Sequence, residues 1–452
     1  MSNVQMNSHH VSSASHFKRV LTLKDLVIYG IAFMTPIAPA YIYGFAAQST
    51  GGMLPLAYLI AMVAMMFSAY SYGRMAAAFP ISGSTYTYTQ RAIHPHLGFF
   101  AGWAMFMDYV LVPLIVFMVG GSYANALVPS IPYWIWVLII AGIITTVNIL
   151  GIAMAAKTNQ LLVLFMGIVV VVFVIFCIKT IVGGDGASAL VSITPFFQSE
   201  KFVMTAIISG AAMACFSFLG FDSITTLSEE AVNPKDDIWK AAILSCLIGG
   251  VIFIVQAYVA QLVWPDVNSF SSADTALFDV AKAAGGAILA TLYTVAIIVS
   301  SLTAGLTGQA SASRLMFSMG RDEVLPKKFF TRLHPKYKTP INNILLMCSM
   351  SIVGAIVLPI NFVAELMNFG GLTGFMFVNL SVIVYYYFRK KEKKFFRYLL
   401  IPGLGFLICF YLFINLSPMT LKVGLIWMVI GLIYALITTK GFKKLPPSIR
   451  NL

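Results

Sequence analysis

Charged side chains are scarce in this sequence. Only 10% of its 452 residues are Asp, Glu, Lys or Arg, and just 16 of them are acidic. Soluble domains carry about 25% charged residues, so a water-soluble globular protein is excluded, and no long polar stretch leaves room for a separate soluble domain. Apolar residues make up 59% of the chain, with a mean hydropathy of +0.88. The composition predicts an all-α polytopic membrane protein.

Motifs of enzymes and metal sites are also absent. The sequence has no HExxH, GxSxG or P-loop pattern and no paired-histidine metal spacing. Its five cysteines lie in apolar runs without CxxC spacing, which favours ordinary buried packing. The chain is therefore not expected to be an enzyme, nor an ATP-driven pump unless a partner subunit supplies the nucleotide site. No metal or cofactor is expected.

Twelve apolar segments are each long enough to cross a bilayer, which takes about 20 helical residues. Residues 1–24 are polar and lack an apolar signal segment, so they are expected to form a disordered cytoplasmic tail. Residues 25–440 are expected to form one transmembrane domain, and 441–452 a cytoplasmic C-terminal tail. The predicted spans are 27–48, 54–78, 97–127, 132–152, 159–182, 203–228, 239–263, 285–313, 342–360, 363–388, 398–416 and 420–439.

Basic residues set the predicted orientation. With the N-terminus in the cytoplasm, 25 of the 29 Lys and Arg residues fall on the cytoplasmic side, as the positive-inside rule requires. We therefore expect a multi-pass protein of the cytoplasmic membrane with both termini in the cytoplasm. The net charge of +13 is then a topology signal that also attracts anionic lipid headgroups, and nucleic-acid binding is not expected.

Two spans carry residues that interrupt helices. The first contains Pro36 and Pro39, and the sixth contains Gly220 between Ser217 and Asp222. Broken helices at corresponding places in two halves indicate a transporter binding site, because irregular backbone at membrane depth must be buried or line a cavity. The offset of five spans is odd, so the second half enters the membrane in the opposite sense. This predicts an inverted repeat of spans 1–5 against 6–10, with spans 11 and 12 appended.

Asp108 and Asp222 are the only carboxylates deep within predicted spans. A charge inside a bilayer costs roughly 3 kcal/mol or more, so it usually faces a cavity and has a function. Asp222 is predicted to neutralise a substrate ammonium or to carry a coupled proton. Asp108 is predicted to carry the proton, or to pair with a helix dipole or hydroxyl. For both residues the alternative is a buried acid held by structural hydrogen bonds.

Four segments resemble a known family, the amino acid–polyamine–organocation permeases. The second begins Phe216-Ser-Phe-Leu-Gly-Phe-Asp222 and is similar to the family's signature in the sixth span. The resemblance covers about residues 20–440 and implies a LeuT-type fold, with an aromatic gate over the substrate at Phe216. The four segments are Gly83-Ser-Thr-Tyr-Thr-Tyr-Thr-Gln-Arg91 with Gly98-Phe-Phe-Ala-Gly-Trp103, Phe216–Glu230, Ser313–Asp322 and His334–Pro340.

Within that family, the chain is most similar to bacterial putrescine importers, at Asp108-Tyr109 and at Asn368-Phe-Gly-Gly371. Two positions depart from the family. Those importers carry an acid in the first span where this chain has Tyr41, which counts against a diamine. Proton-coupled amino acid members can carry a lysine in the fifth span where this chain has Met166, which leaves the coupling ion open, with a proton as the expectation.

The two breaks predict a substrate site. Carbonyls of the sixth span can accept hydrogen bonds from an ammonium group, and nearby aromatic rings can close over it with cation–π attraction. A substrate carboxylate would need free amides at a half-helix N-terminus, but two residues of the first break are prolines, which mildly favours a substrate without a carboxylate. The predicted substrate-binding residues are Thr35, Pro36, Ile37, Ala38, Tyr41, Phe216, Ser217, Phe218, Leu219, Gly220 and Asp222.

Charged residues near the cytoplasmic ends of the spans form a second candidate group. Glu229 and Glu230 are predicted to pair with Arg74 or Arg91 as a cytoplasmic gate. The alternative is ordinary solvated charge at a helix end.

Together these patterns predict a secondary transporter that imports a small amine or amino acid by alternating access, driven by protons or the membrane potential. Putrescine is the single expected substrate. The alternatives are a neutral or cationic amino acid permease and an amine or amino acid exchanger. A channel would require a repeated pore motif or charged rings, whereas single acids beside single breaks favour one occluded site.

Overall fold

The computed structural model describes residues 19–80, 85–151, 156–321 and 326–443. Within these ranges the helices are joined by turns and irregular segments, and the β pairing is one isolated bridge between Leu21 and Ala231. Most of both predicted tails lies outside the described residues, as do Gly83, Ser84 and Asp322 of the family-like segments.

Fifteen α-helices occupy the described ranges. They are α1 (Leu23–Met34), α2 (Tyr43–Ser49), α3 (Leu54–Ala78), α4 (Thr85–Ala92), α5 (Pro95–Leu127), α6 (Tyr133–Leu150), α7 (Ala156–Asp185), α8 (Met204–Ala214), α9 (Pro234–Val263), α10 (Ala276–Arg321), α11 (Lys327–Phe330), α12 (Ile341–Val357), α13 (Ile360–Val382), α14 (Ile401–Ile414) and α15 (Pro418–Thr438).

The helices confirm the predicted all-α membrane fold. Eleven helical segments among the described residues are long and apolar enough to cross a bilayer. Helix α12 falls at the predicted ninth span and has 17 residues, which lies at the lower limit of about 17 residues for a spanning helix. Helices therefore lie at all twelve predicted positions, while the count of twelve crossings and the inverted repeat stay predictions.

Both predicted helix breaks are present. The first span leaves helical geometry at Thr35, whose φ is 54°, and continues through a 3₁₀ turn at Ala38–Tyr41 into α2. The sixth span passes from α8 through a 3₁₀ turn at Cys215–Phe218 to Gly220, whose φ is 112°, and then through Phe221–Leu227. Proline cannot donate to a helix ladder, and a positive φ is accessible mainly to glycine, so these residue types produce the breaks.

The range of α10 contains two helices that meet at Gly285 and Gly286. The backbone of both glycines is non-helical, and the φ of Gly286 is 67°. The predicted start of the eighth span at residue 285 falls at this kink, and helical residues from Ala276 precede it.

Helix α5 lies at the centre of the molecule and packs against α6, α10, α12 and α13. The two broken spans lie beside it, with α1 packed on α9 and α8 packed on α3. Peripheral helices have much less buried surface: in α6, α14 and α15 no more than 28% of the most apolar stretch is buried. This arrangement brings Asp108, on α5, close to both breaks.

Candidate functional site

A cavity of about 220 Å³ lies between the two helix breaks and α5, α7, α10 and α13. It contains eight of the residues predicted to bind substrate or couple protons, although they come from widely separated parts of the chain. Those eight residues are Thr35, Ala38, Tyr41, Asp108, Phe216, Leu219, Gly220 and Asp222.

The other predicted substrate contacts lie outside the cavity lining, where they connect the breaks to neighbouring helices. The carbonyl of Pro36 accepts a hydrogen bond from Nε2 of Gln256 at 2.9 Å. The hydroxyl of Ser217 shares a hydrogen bond with that of Tyr58, also at 2.9 Å. A role in binding substrate stays a prediction for these residues, which are Pro36, Ile37, Ser217 and Phe218.

Two carboxyl groups from different helices line the cavity. Asp222, two residues after Gly220, has 7% of its surface exposed. Oδ1 of Asp108 is buried and has no hydrogen-bond partner in the described part of the chain. No Lys or Arg is among the described residues that line this cavity. Since an unpaired buried carboxylate oxygen is unfavourable, the cavity is electrostatically suited to a cation or a proton.

An aromatic pair covers part of the cavity. The rings of Tyr41 and Phe216 lie 6.0 Å apart between centroids, so a cation beside them would gain cation–π attraction. The Tyr41 hydroxyl shares hydrogen bonds with Oγ of Ser300 at 3.2 Å and of Ser301 at 3.4 Å. Its ring therefore faces the cavity while its hydroxyl ties the first break to α10. The gating role of Phe216 stays a prediction.

The backbone of the first break offers little to a carboxylate. Pro36 and Pro39 have no N–H, and the amides of Ala38 and Ala40 donate within the 3₁₀ turn at 3.1 and 3.0 Å. An anionic group at this end of the cavity would thus find few backbone donors. This geometry agrees with the interpretation of the two prolines.

Two aromatic residues of α1, Tyr29 and Phe33, line part of the cavity. Phe33 is 46% exposed. The ring of Phe33 also lies against Gly220, where an added Cβ would be 2.4 Å from Cδ1 of Phe33. The hydroxyl of Tyr123 donates to the carbonyl of Ala40 at 3.0 Å, so α5 also holds the 3₁₀ turn of the first break.

The predicted cytoplasmic gate comprises Arg74, Arg91, Glu229 and Glu230. Nη2 of Arg74 donates to the Tyr398 hydroxyl at 3.1 Å, and its guanidinium lies 5.6 Å from the ring of Tyr386. The guanidinium of Arg91 lies 5.7 Å from the ring of Phe79. Both arginines thus contact aromatic side chains, and their pairing with the two glutamates stays a prediction.

The segment that contains Glu229 and Glu230 connects the two broken spans. The carbonyl of Glu230 accepts hydrogen bonds from the amides of Val20 and Leu21 at 2.9 and 3.0 Å, and the amide of Val232 donates to Leu21 at 2.9 Å. These residues precede α1 and follow the sixth span, so the bridge joins the start of the first broken span to the end of the second.

Three hydroxyl groups of α10 that were not predicted belong to the site. Thr303, Thr307 and Ser311 line the cavity, and their spacing of four residues places them along one helix face. A row of hydroxyls at this spacing in an otherwise apolar span was the available signal.

Comparisons with known proteins agree with this arrangement. The Amino acid permease family model matches residues 25–448. The chain is 36% identical to the low-affinity putrescine importer PlaP of Escherichia coli (strain K12), over 98% of this chain and 99% of that protein. It is 27% identical to the branched-chain amino acid permease BcaP of Bacillus subtilis (strain 168), over 96% of each chain.

A third relative, the methylthioribose transporter of Bacillus subtilis (strain 168), is 26% identical over 95% of each chain. The family resemblance expected from the sequence motifs is therefore confirmed over nearly the whole length. This chain belongs to the amino acid permease family, and it is a membrane transporter of amino acids or polyamines rather than an enzyme.

Proposed function

We propose that this protein imports putrescine, or a diamine of similar length, across the cytoplasmic membrane by alternating access. The observation that carries the proposal is the pair of carboxyl groups, Asp108 and Asp222, in one cavity whose described lining has no Lys or Arg. A diamine has an ammonium group at each end, so two acids on different helices can each receive one. Apolar side chains such as Val112 and Met166 line the same cavity and suit the methylene chain.

The second candidate is an amino acid permease, and the resemblance to the branched-chain permease of Bacillus subtilis favours it. That substrate carries a carboxylate, which would lie in a cavity that already contains two acids. The first break offers few free amides to compensate, because its prolines lack N–H groups and its 3₁₀ turn uses others. The diamine therefore fits the described geometry better.

We infer that the membrane potential contributes to the driving force. An inside-negative potential favours entry by about 2.3 kcal/mol per elementary charge per 100 mV. A divalent diamine would gain about twice that free energy. Proton coupling through Asp108 or Asp222 belongs to the same proposal.

Uptake into proteoliposomes tests the substrate. Labelled putrescine and a panel of neutral and cationic amino acids would be supplied under separately imposed pH and voltage gradients. We expect saturable putrescine uptake that increases with an inside-negative potential, together with accelerated counterflow, which a channel would not give. Competition by a neutral amino acid but not by putrescine would overturn the diamine assignment.

Two isosteric variants test the acids. Asp108→Asn and Asp222→Asn each remove one charge, and because hydrogen bonds to charged groups contribute about 1.5–3 kcal/mol, we expect putrescine uptake to fall about 10- to 100-fold. Glu200→Gln is the matched control, since Glu200 is exposed in the loop between α7 and α8. Full uptake by Asp222→Asn at every pH would show that this carboxyl group has neither predicted role.

A further inference from the structure

A buried amide on α13 contacts the sixth span just before its break. Asn368 is fully buried, and its Nδ2 donates to the carbonyls of Ala212 at 2.9 Å and Met213 at 3.2 Å. Since carbonyl oxygens only accept hydrogen bonds, the NH₂ group of the Asn368 amide, and not its oxygen, faces α8. The contact joins positions 155 and 156 residues apart in the chain.

These two carbonyls belong to the last turn of α8, which ends at Ala214. The last four carbonyls of a helix have no regular partner within the helix, and inside a membrane they must find a donor in the protein. One amide from α13 donates to two of them, of which the carbonyl of Met213 also accepts from the amide of Cys215. Asn368 thus caps α8 from a different helix, immediately before the turn that leads to Gly220.

The same segment of α13 also lies against the sixth-span break and against α5. An added Cβ at Gly371 would lie 2.6 Å from Cδ2 of Leu219, and one at Gly370 would lie 2.7 Å from the carbonyl oxygen of Ala104. Leu219 lies in the sixth-span break, and Ala104 lies one helical turn before Asp108 on α5. Residues 368–371 therefore contact both elements that carry the cavity's carboxyl groups.

We propose that Asn368 is a positioning residue that fixes the end of α8, so that the Gly220 turn and Asp222 keep their place relative to Asp108. The first break is held in a comparable way. There Gln256 donates to Pro36 at 2.9 Å and accepts a hydrogen bond from Tyr293 at 3.3 Å. The inference rests on the proposed function only in placing the substrate between the two carboxyl groups.

The chain offers a matched control on the same helix. Asn379 is also a fully buried amide of α13, but its Nδ2 donates to Oγ of Ser68 on α3 at 3.2 Å, not to a helix break. Each asparagine has a native cysteine near its contact. Cys215 follows α8 directly and is fully buried, and Sγ of Cys409 lies 3.3 Å from Oγ of Ser68.

Alkylation of these cysteines measures the position of the break without any transported substrate. Asn368→Asp, Asn368→Ala and Asn379→Ala would be treated with N-ethylmaleimide, and the labelled peptides quantified by mass spectrometry. We expect both Asn368 variants to increase the alkylation rate of Cys215 about tenfold. Loss of about one net hydrogen bond would increase the population of the locally open state, in which Cys215 can react, by about that factor. Asn379→Ala should leave Cys215 protected and affect Cys409 instead.

Transport gives a second readout, measured with whichever substrate the wild-type protein accumulates. Both Asn368 variants should lower Vmax/KM about tenfold with normal amounts of monodisperse protein, and Asn379→Ala should change it less. Wild-type Cys215 protection in both Asn368 variants would overturn the positioning role, as would equal exposure of Cys215 and Cys409. A failure of putrescine uptake in the wild-type protein would instead count against the proposed substrate and leave the alkylation result valid.

Discussion

At the scale of single residues, Tyr41 combines two roles. Its ring contacts Phe216 in the cavity wall, while its hydroxyl shares hydrogen bonds with Ser300 and Ser301 of α10. Tyr41 therefore contributes a contact between the first break and α10 rather than a charge. The negative charge of the cavity comes from Asp108 and Asp222 instead.

Tyr41→Phe separates the two roles. The variant keeps the ring and loses a hydroxyl that is engaged within the protein, so we expect KM for the transported amine to change less than about threefold, while stability falls by about 1 kcal/mol. Uptake kinetics and thermal unfolding in detergent would measure the two effects. Tyr411→Phe on α14, where the side chain is 46% exposed, is the control. A tenfold increase in KM would mean that the hydroxyl contacts the substrate directly.

Some of the site could be predicted from single residues and some could not. Asp108 and Asp222 stand out because carboxylates are rare and costly inside a membrane. The partners of Tyr41 are 259 and 260 residues away, and nothing in a local pattern connects them. The asparagine contact between α13 and α8 is equally hidden, since a buried amide in a span looks the same whether it caps a helix break or joins two regular helices.

At the scale of elements, the two broken spans shape the cavity, and their breaks differ in the type of residue that adopts a positive φ. Gly220 has a φ of 112°, and the ring of Phe33 lies directly against it. Both the positive φ and the lack of space for a side chain therefore favour glycine at this position. Thr35 adopts a φ of 54° at the first break, a conformation that costs a non-glycine residue of order 1–3 kcal/mol.

Gly220→Ala should disable the sixth-span break. The methyl group would lie 2.4 Å from Cδ1 of Phe33, and the positive φ adds a conformational cost of order 1–3 kcal/mol. We expect normal membrane insertion with uptake reduced at least about tenfold. Gly167→Ala on α7 is the control, because nothing lies within 4 Å of its added methyl. Equal uptake by the two variants would contradict the role assigned to this turn.

Prediction of the elements succeeded where one residue type has one dominant effect. The prolines and Gly220 indicated the breaks because they remove donors or permit positive φ. Gly285 and Gly286 indicated the start of the eighth span for the same reason, since their backbone is non-helical and two helices meet there. The helical stretch from Ala276 to this pair was not part of the predicted span.

At the scale of the whole molecule, the last span is attached to the central helix by two tryptophans. Nε1 of Trp103 donates to the carbonyl of Trp427 at 2.9 Å, and Nε1 of Trp427 donates to the carbonyl of Trp103 at 3.0 Å. Their rings are stacked with centroids 4.9 Å apart. This reciprocal pair ties α15 to α5 outside the cavity, so it is expected to support stability more than substrate recognition.

Trp427→Phe tests that separation. The variant loses one hydrogen bond and part of the stacked area, so we expect the free energy of unfolding to fall by about 1–3 kcal/mol with KM for uptake unchanged. Thermal unfolding and uptake kinetics on the same preparation would measure both. A change in KM at unchanged stability would instead show that α15 influences the cavity through α5.

Orientation decides which side of the membrane the cavity faces in this structure. Tyr29 and the exposed Phe33 of α1 line the cavity, and the distribution of basic residues predicts that α1 starts on the cytoplasmic side. Ser199→Cys and Lys336→Cys lie in exposed loops on opposite sides of the predicted topology. A membrane-impermeant maleimide should label Ser199→Cys in intact cells and Lys336→Cys only after permeabilisation, with the wild-type protein as background. That result would make this conformation the inward-facing one, in which the two carboxyl groups release their substrate into the cytoplasm. The reverse labelling would place the same opening outside and make it the entry route.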